Sequence, residues 1–238
     1  KKDKRIFLIV GDLGYNVVEN YVKQNPRQFL NAGIAEQNMT GMAAGMALEG
    51  RIVFTYSIAN FPILRPLEQV RNDICYHNAN VKIIAVGAGF TYGPLASTHH
   101  GTEDLAIMRA LPNMTVIAPA DKAEAREAAK AVVKHQGPCY IRISKSKEAH
   151  TRPIGNFKIG KALTLKEGKD ISLIAIGSMV GDVLLAAKEL SKKGVDARVI
   201  SMHTLKPLDT QTIKKAAKET GGIITIEEHS VIGGLGGA

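Results

Sequence analysis

Apolar residues fall along the chain in short continuous blocks, and between those blocks they recur at helical spacing. The Val- and Ile-rich blocks predict strands at residues 6–10, 28–31, 52–56, 81–86, 115–118, 140–143, 171–176, 197–201 and 223–226. The spacing between them predicts helices near 16–23, 35–49, 64–78, 103–110, 121–135, 180–193 and 209–219, several opened by Asp, Ser or Thr. Strands that are apolar on both faces and alternate with helices belong in parallel sheets covered on each side. The fold class is α/β, with doubly wound, mainly parallel sheets.

From residue 145 to 169 the rhythm lapses into "KSKEAHTRPIGNFKIGKALTLKEGK", rich in Lys, Gly and Pro, and a fresh strand-helix pattern follows at "ISLIAIGS". This predicts one domain over 1–146, a linker with a short extended piece over 147–167, and a second domain over 168–238. The chain stops at "GGLGGA", where a helix is expected to continue, so the second domain reads as incomplete.

Composition narrows the function without naming it. With 45% hydrophobic residues in 238, the chain can bury a sizeable core. It has no apolar run of membrane-spanning length, which argues against a membrane protein. Cys75 and Cys139 are too few for a disulfide framework and read as reduced interior thiols, pointing to the cytoplasm. The net charge of +9 comes from scattered Lys and Arg, and aromatics make up only 5%, so nucleic-acid binding is not expected. A phosphorylated substrate or an acidic partner subunit makes better use of that field.

Two glycine clusters carry little chemistry by themselves. "GAGFTYG" after the fourth strand misses the dinucleotide fingerprint by one residue and reads as a flexible loop. "GGLGGA" reads as the start of a helix packed closely on the sheet.

The residue out of place is Glu36. In "NAGIAEQNMTGMAAGMALEG" (31–50), Ile34, Met39, Met42, Ala43, Ala44, Met46, Ala47 and Leu48 point in nearly every direction, the pattern of a hidden helix. A first-turn acid complements the helix dipole. If it is enclosed, however, its charge needs compensation, and an uncompensated buried carboxyl keeps its proton. Such a group can donate a hydrogen bond to a heteroaromatic nitrogen.

"FLNAGIAEQNMTGMAAGMA" resembles the glutamate-bearing segment of the transketolase family and its relatives, deoxyxylulose-phosphate synthase and the β subunits of 2-oxoacid dehydrogenases. "STHHGTEDLAIMRALPNMTVIAPAD" resembles the family's active-site histidine loop and following strand, and "ARVISMHTLKPLD" with "IEEHSVIGG" resembles its C-terminal domain. The resemblance implies a pyrimidine-binding domain followed by that C-terminal domain, with thiamine diphosphate as cofactor. Glu36 then matches the residue that shares a proton with the aminopyrimidine N1′. The family's Gly-Asp-Gly metal motif is absent from this sequence, so the resemblance implies the C-terminal half of a split transketolase. An N-terminal partner subunit would hold Mg²⁺ and the diphosphate, this chain would supply no metal ligand, and self-association would build an α2β2 particle.

Other positions carry over singly. Asp12 and Leu13 of "VGDLG" match a stretch that lines the cofactor site, Ile34 stands beside Glu36, and His99 matches a histidine that contacts substrate oxygens. In "SIANFPILRPLEQVR" the family's aromatic wall positions fall on Ala59 and Pro62, leaving Phe61 as the nearest substitute, while Arg65 matches a common Arg at the pocket or dimer contact. Lys145 matches a basic position that binds substrate phosphate, with an exposed linker lysine as the alternative. Gly87 and Leu95 stand where transketolases place a second histidine and a hydroxyl-reading aspartate, which implies ketol transfer from a ketose (phosphate) to an unusual aldose. A 2-oxoacid dehydrogenase β-type subunit and a non-catalytic scaffold that retained the fold are the alternatives.

Overall fold

Each of the nine apolar blocks forms a strand, and two further strands complete the sheets. The computed structural model describes residues 3–144, 154 and 157–238. The first sheet comprises β1 (Ile6–Val10), β2 (Phe29–Asn31), β3 (Ile52–Ile58), β4 (Val81–Val86), β5 (Thr115–Ile117), β6 (Cys139–Ile143) and β10 (Thr204–Lys206). Their spatial order is β10-β5-β6-β4-β3-β1-β2. The second sheet has β7 (Leu163–Lys166), β8 (Ile171–Ala175), β9 (Ala197–Ser201) and β11 (Ile223–Ile226), ordered β11-β8-β9-β7. Only β10 on β5 and β7 on β9 pair antiparallel, in agreement with the α/β class and its mainly parallel sheets.

Both additional strands blur the boundary between the two units. The segment read as a linker contains β7, which edges the second sheet. In the other direction β10 leaves the second unit directly after β9 and extends the first sheet. One apolar cluster runs through both units, joining Met39, Ile83 and Met108 to Ile176, Met202 and Leu205. Burial of this continuous surface welds the units together.

The helices are α1 (Glu19–Gln24), α2 (Glu36–Leu48), α3 (Leu67–Gln69), α4 (Asp104–Ala110), α5 (Lys122–Lys134), α6 (Met179–Lys192) and α7 (Thr210–Glu219). The stretch expected as one helix over 64–78 is the single turn α3 followed by a wider π-helical run, Val70–Tyr76. Asp121 caps α5 by accepting the Ala123 and Glu124 amides. Glu124 reaches back to the Ala120 amide at 2.7 Å, and its other oxygen accepts from Ser201 Oγ at 2.7 Å, another tie between the units.

Two local expectations are corrected. The glycine-rich end forms turns and no helix, because the Glu227 carboxylate accepts the Leu235 and Gly236 amides at 2.6 and 2.9 Å, while Arg109 takes the Gly233 and Gly237 carbonyls. Nor is α2 hidden on all sides within this chain. Met39, Ala43, Ala44 and Ala47 are buried, but Gly45 and Leu48 are exposed. Cys75 and Cys139 are buried free thiols as expected, and burial pushes the Cys75 thiol up to about 11. No helix among the described residues is long and apolar enough to cross a membrane.

Candidate functional site

The carboxyl ends of β1, β2 and β3 and the loops that follow them build the site. β1 and β2 are parallel neighbours, with Val10 opposite Asn31. The Asn31 side chain ties their ends: Oδ1 accepts the Asp12 and Gly33 amides, both at 3.0 Å, and Nδ2 donates to Asp12 Oδ1 at 2.9 Å. Asp12 is held in the left-handed region (φ 56°), and the tie fixes the turn that leads into α2.

Glu36, the first residue of α2, is 3% exposed. Its Oε2 accepts from Arg65 Nη1 at 2.8 Å and its Oε1 from Ser57 Oγ at 3.3 Å. A buried carboxylate is costly unless paired and hydrogen-bonded, and here both conditions are met. The premise of an uncompensated acid, whose proton burial alone would retain, does not hold in this chain. Arg65 is the compensating group and is itself half-exposed.

From Arg65 the site continues through rings. The guanidinium lies 4.0 Å over the Phe61 ring centroid, a cation–π contact. Phe61 meets His99 edge to face at 5.1 Å, and His99 meets Tyr92 at 5.9 Å. Thr98 Oγ1 donates to the Leu95 carbonyl, so its 2.9 Å contact with His99 is an Nδ1–H donation that leaves Nε2 as the acceptor. His100 is used differently: its Nε2 contacts the Gly93 carbonyl at 3.2 Å, and its own carbonyl accepts from Asn60 Nδ2 at 2.6 Å.

The structure therefore brings Glu36, Arg65, Phe61 and His99 into one contiguous line. Ile34, 77% exposed, joins Glu36 and Arg65 in lining an open depression of about 720 Å³. Asp12 is exposed with its carboxylate engaged by Asn31, and Leu13 beside it is half-buried. Lys145 lies outside the described residues. Among the described residues no three His, Cys, Asp or Glu side chains converge on a metal position. The loop read as flexible has its feet joined, since Gly89 and Gly101 exchange two backbone hydrogen bonds of 2.9 Å. At Gly87 (φ 99°) a side chain would collide with the Tyr92 ring. Sequence reasoning missed Ser57 and Asn31, although a lone Ser in the apolar run "IVFTYSI" and an Asn at a strand end were visible signals.

Residues 1–149 match the transketolase pyrimidine binding domain, and residues 160–238 the transketolase C-terminal domain. The chain is 40% identical over 239 residues to one of the two subunits of the apulose-4-phosphate transketolase of Phocaeicola vulgatus, covering 99% of this chain and 77% of that protein. It is also 40% identical over 240 residues to the 6-deoxy-6-sulfo-D-fructose transketolase subunit SqwH of Clostridium sp. strain MSTE9, covering 100% and 74%. Among solved structures, a split gene transketolase described as an inactive beta4 tetramer matches with a TM-score of 0.90 at 42% identity, over 98% of this chain and 77% of that one. The transketolase of Campylobacter jejuni shares the fold, with a TM-score of 0.83 at 24% identity over 96% and 37%.

Proposed function

Because the chain belongs to the transketolase family and carries its pyrimidine-binding and C-terminal domains, we propose that it is the C-terminal subunit of a split transketolase, moving a two-carbon ketol unit from a ketose, phosphorylated or otherwise acidic, to an aldose. The observation that carries this reading is the buried, doubly hydrogen-bonded Glu36 carboxylate at the wall of an open depression, in a chain similar over its whole length to transketolase subunits. The depression suits a flat heterocycle: an exposed apolar side chain, Ile34, at one edge and a carboxylate fixed in direction at its wall. When bound, thiamine diphosphate supplies the electron sink for breaking and remaking the carbon–carbon bond.

Each residue of the chain has a defined task in this reading. Glu36 holds a proton between its carboxylate and a ring nitrogen. Ser57 and Arg65 fix the carboxylate's orientation and offset its charge. Phe61 offers an apolar face, and His99, with Nε2 free as acceptor, takes or returns a proton at a substrate oxygen. Ile34 and Leu13 exclude water, and Asp12 keeps the β1 and β2 ends in register through Asn31. Lys145 is assigned to substrate phosphate. Mg²⁺ and the diphosphate belong to an N-terminal partner subunit. The exposed face of α2, with Gly45 and Leu48, and the rim at Ile34 suit self-association within an α2β2 enzyme of the cytoplasm.

The substrate differs from that of pentose-phosphate metabolism in this reading. Relatives at 40% identity are named for apulose 4-phosphate and 6-deoxy-6-sulfo-D-fructose. Gly87 and Leu95 supply no side-chain hydrogen-bonding group to read a hydroxyl. The test is expression with the subunit encoded beside it, thiamine diphosphate and Mg²⁺, with ketose or 2-oxoacid donors offered separately. Ketol transfer from a ketose supports the proposal, whereas decarboxylation of a 2-oxoacid overturns it, and equal use of xylulose 5-phosphate and ribose 5-phosphate removes the substrate assignment.

A further inference from the structure

Resting on the role given above to His99, we infer that the second unit aligns the His99 loop for substrate, with Glu228 as the positioning residue that latches it. The loop between Gly89 and Gly101 is closed on itself at its base but has no strand or helix to hold it against the sheet. Instead, both of its feet are held by residues that follow β11. The Glu228 side chain accepts the Phe90 amide on Oε1 at 2.7 Å, and its Oε2 lies 3.4 Å from Ser178 Oγ. At the other foot, the Ser230 amide donates to the Thr102 carbonyl at 2.7 Å.

Arg142 bridges the same two pieces from below. Its Nη2 donates to the Gly101 carbonyl at 3.2 Å and to the Glu228 backbone carbonyl at 2.5 Å. The guanidinium is buried, and Asp104 Oδ2 lies 3.5 Å from its Nε, so its charge is compensated in place. Gly89 lets the latch close. A Cβ at that position (φ 53°) would collide with the Glu228 side chain, the movable partner, and push it off the Phe90 amide. These contacts end on residues flanking His99, so the second unit acts on the site through the loop's orientation. A catalytic group misplaced by a fraction of an ångström loses rate steeply.

The test uses the enzyme assembled with its partner subunit and compares Glu228→Ala, Glu228→Gln, Gly89→Ala and His99→Ala. Glu228→Ala should raise KM for the ketose about tenfold while leaving the affinity for thiamine diphosphate unchanged, since the loop meets substrate rather than the ring. Amide exchange over residues 90–101 should speed up in the same variant. Glu228→Gln keeps an acceptor oxygen for the Phe90 amide and should restore most of the KM. Gly89→Ala should mimic Glu228→Ala alone and add little to it. A Glu228→Ala enzyme that is only less abundant, with unchanged KM per active site and unchanged exchange, overturns the latch. If His99→Ala leaves turnover intact, the role of His99 fails, and loop exchange alone then decides whether the latch exists.

Discussion

The two ends of the first sheet each bury a charge, and they do it in opposite ways. At the carboxyl end, Glu36 is paired with a half-exposed side chain, Arg65, and opens onto a depression. At the amino end, Lys82 is fully buried and donates to the His135 and Gly137 carbonyls at 2.9 and 2.6 Å, with Cys139 Sγ at 3.6 Å. Its partners are fixed backbone groups around the C-terminal end of α5, and burial holds its pKa below the ordinary lysine value. Buried charge by itself thus does not mark a site. What distinguishes Glu36 is a partner that can move and open space for a ligand.

The sharpest way to break this contrast is Glu36→Gln. Loss of proton sharing should lower kcat by about 10²–10⁴-fold with subunit assembly intact, measured as two-carbon transfer and by sedimentation. An unchanged kcat would reduce Glu36 to the same structural role as Lys82. Next in size is Lys82→Met, which keeps the stem's packing but strands two buried carbonyls. It should lower unfolding free energy by about 1–3 kcal/mol in urea titrations, with KM and kcat of the folded enzyme unaltered. A kinetic change here would mean that the amino end also communicates with the chemistry.

Smaller again is Arg65→Met, which leaves a buried carboxylate without its cation. Because Arg65 is half-exposed, the stability loss should be about 1–2 kcal/mol, between surface and fully buried pairs. In a Glu36→Gln background that loss should disappear, since no charge remains to be compensated. A loss that persists there would assign Arg65 to packing on Phe61 instead.

The same two ends show what a sequence discloses. Glu36 was legible because a lone acid interrupts an apolar helical pattern, and the nine strands because Val and Ile cluster in blocks that period and length identify. Arg65 and Phe61 were found only through family resemblance, since nothing local announces a contact across 29 residues. β10 escaped because "TLK" is three residues long and its partner strand ends 87 positions earlier, a pairing that only the packing of the two units creates. Glu228 was hidden in an acidic pair after a strand, where its neighbour Glu227 holds the terminal turns and it alone reaches the loop. The expected helix at "GGLGGA" failed for a related reason, because Glu227 and Arg109 consume the backbone groups a first helical turn would use.

The smallest effect tests whether Lys82 is charged at all. His135 sits beside it, with Nε2 3.1 Å from Thr115 Oγ1, and its pKa is held below 6.5 first by burial and then by the positive charge of Lys82. Between that lowered value and 6.5 the unfolded chain binds the extra proton, so stability is lost as pH falls from 6.5 through the folded pKa, and the loss levels off below it. Lys82→Met removes the charge but not the burial. The His135 imidazole, followed by NMR, should therefore titrate at a higher pH than in the parent while staying below 6.5, and the acid loss of stability should shrink. A titration that does not move would mean that the buried amine is neutral, held only by its two carbonyls. In that case the amino end conceals no charge, and Glu36 would be the one ionic group of the pair whose burial needs a functional explanation.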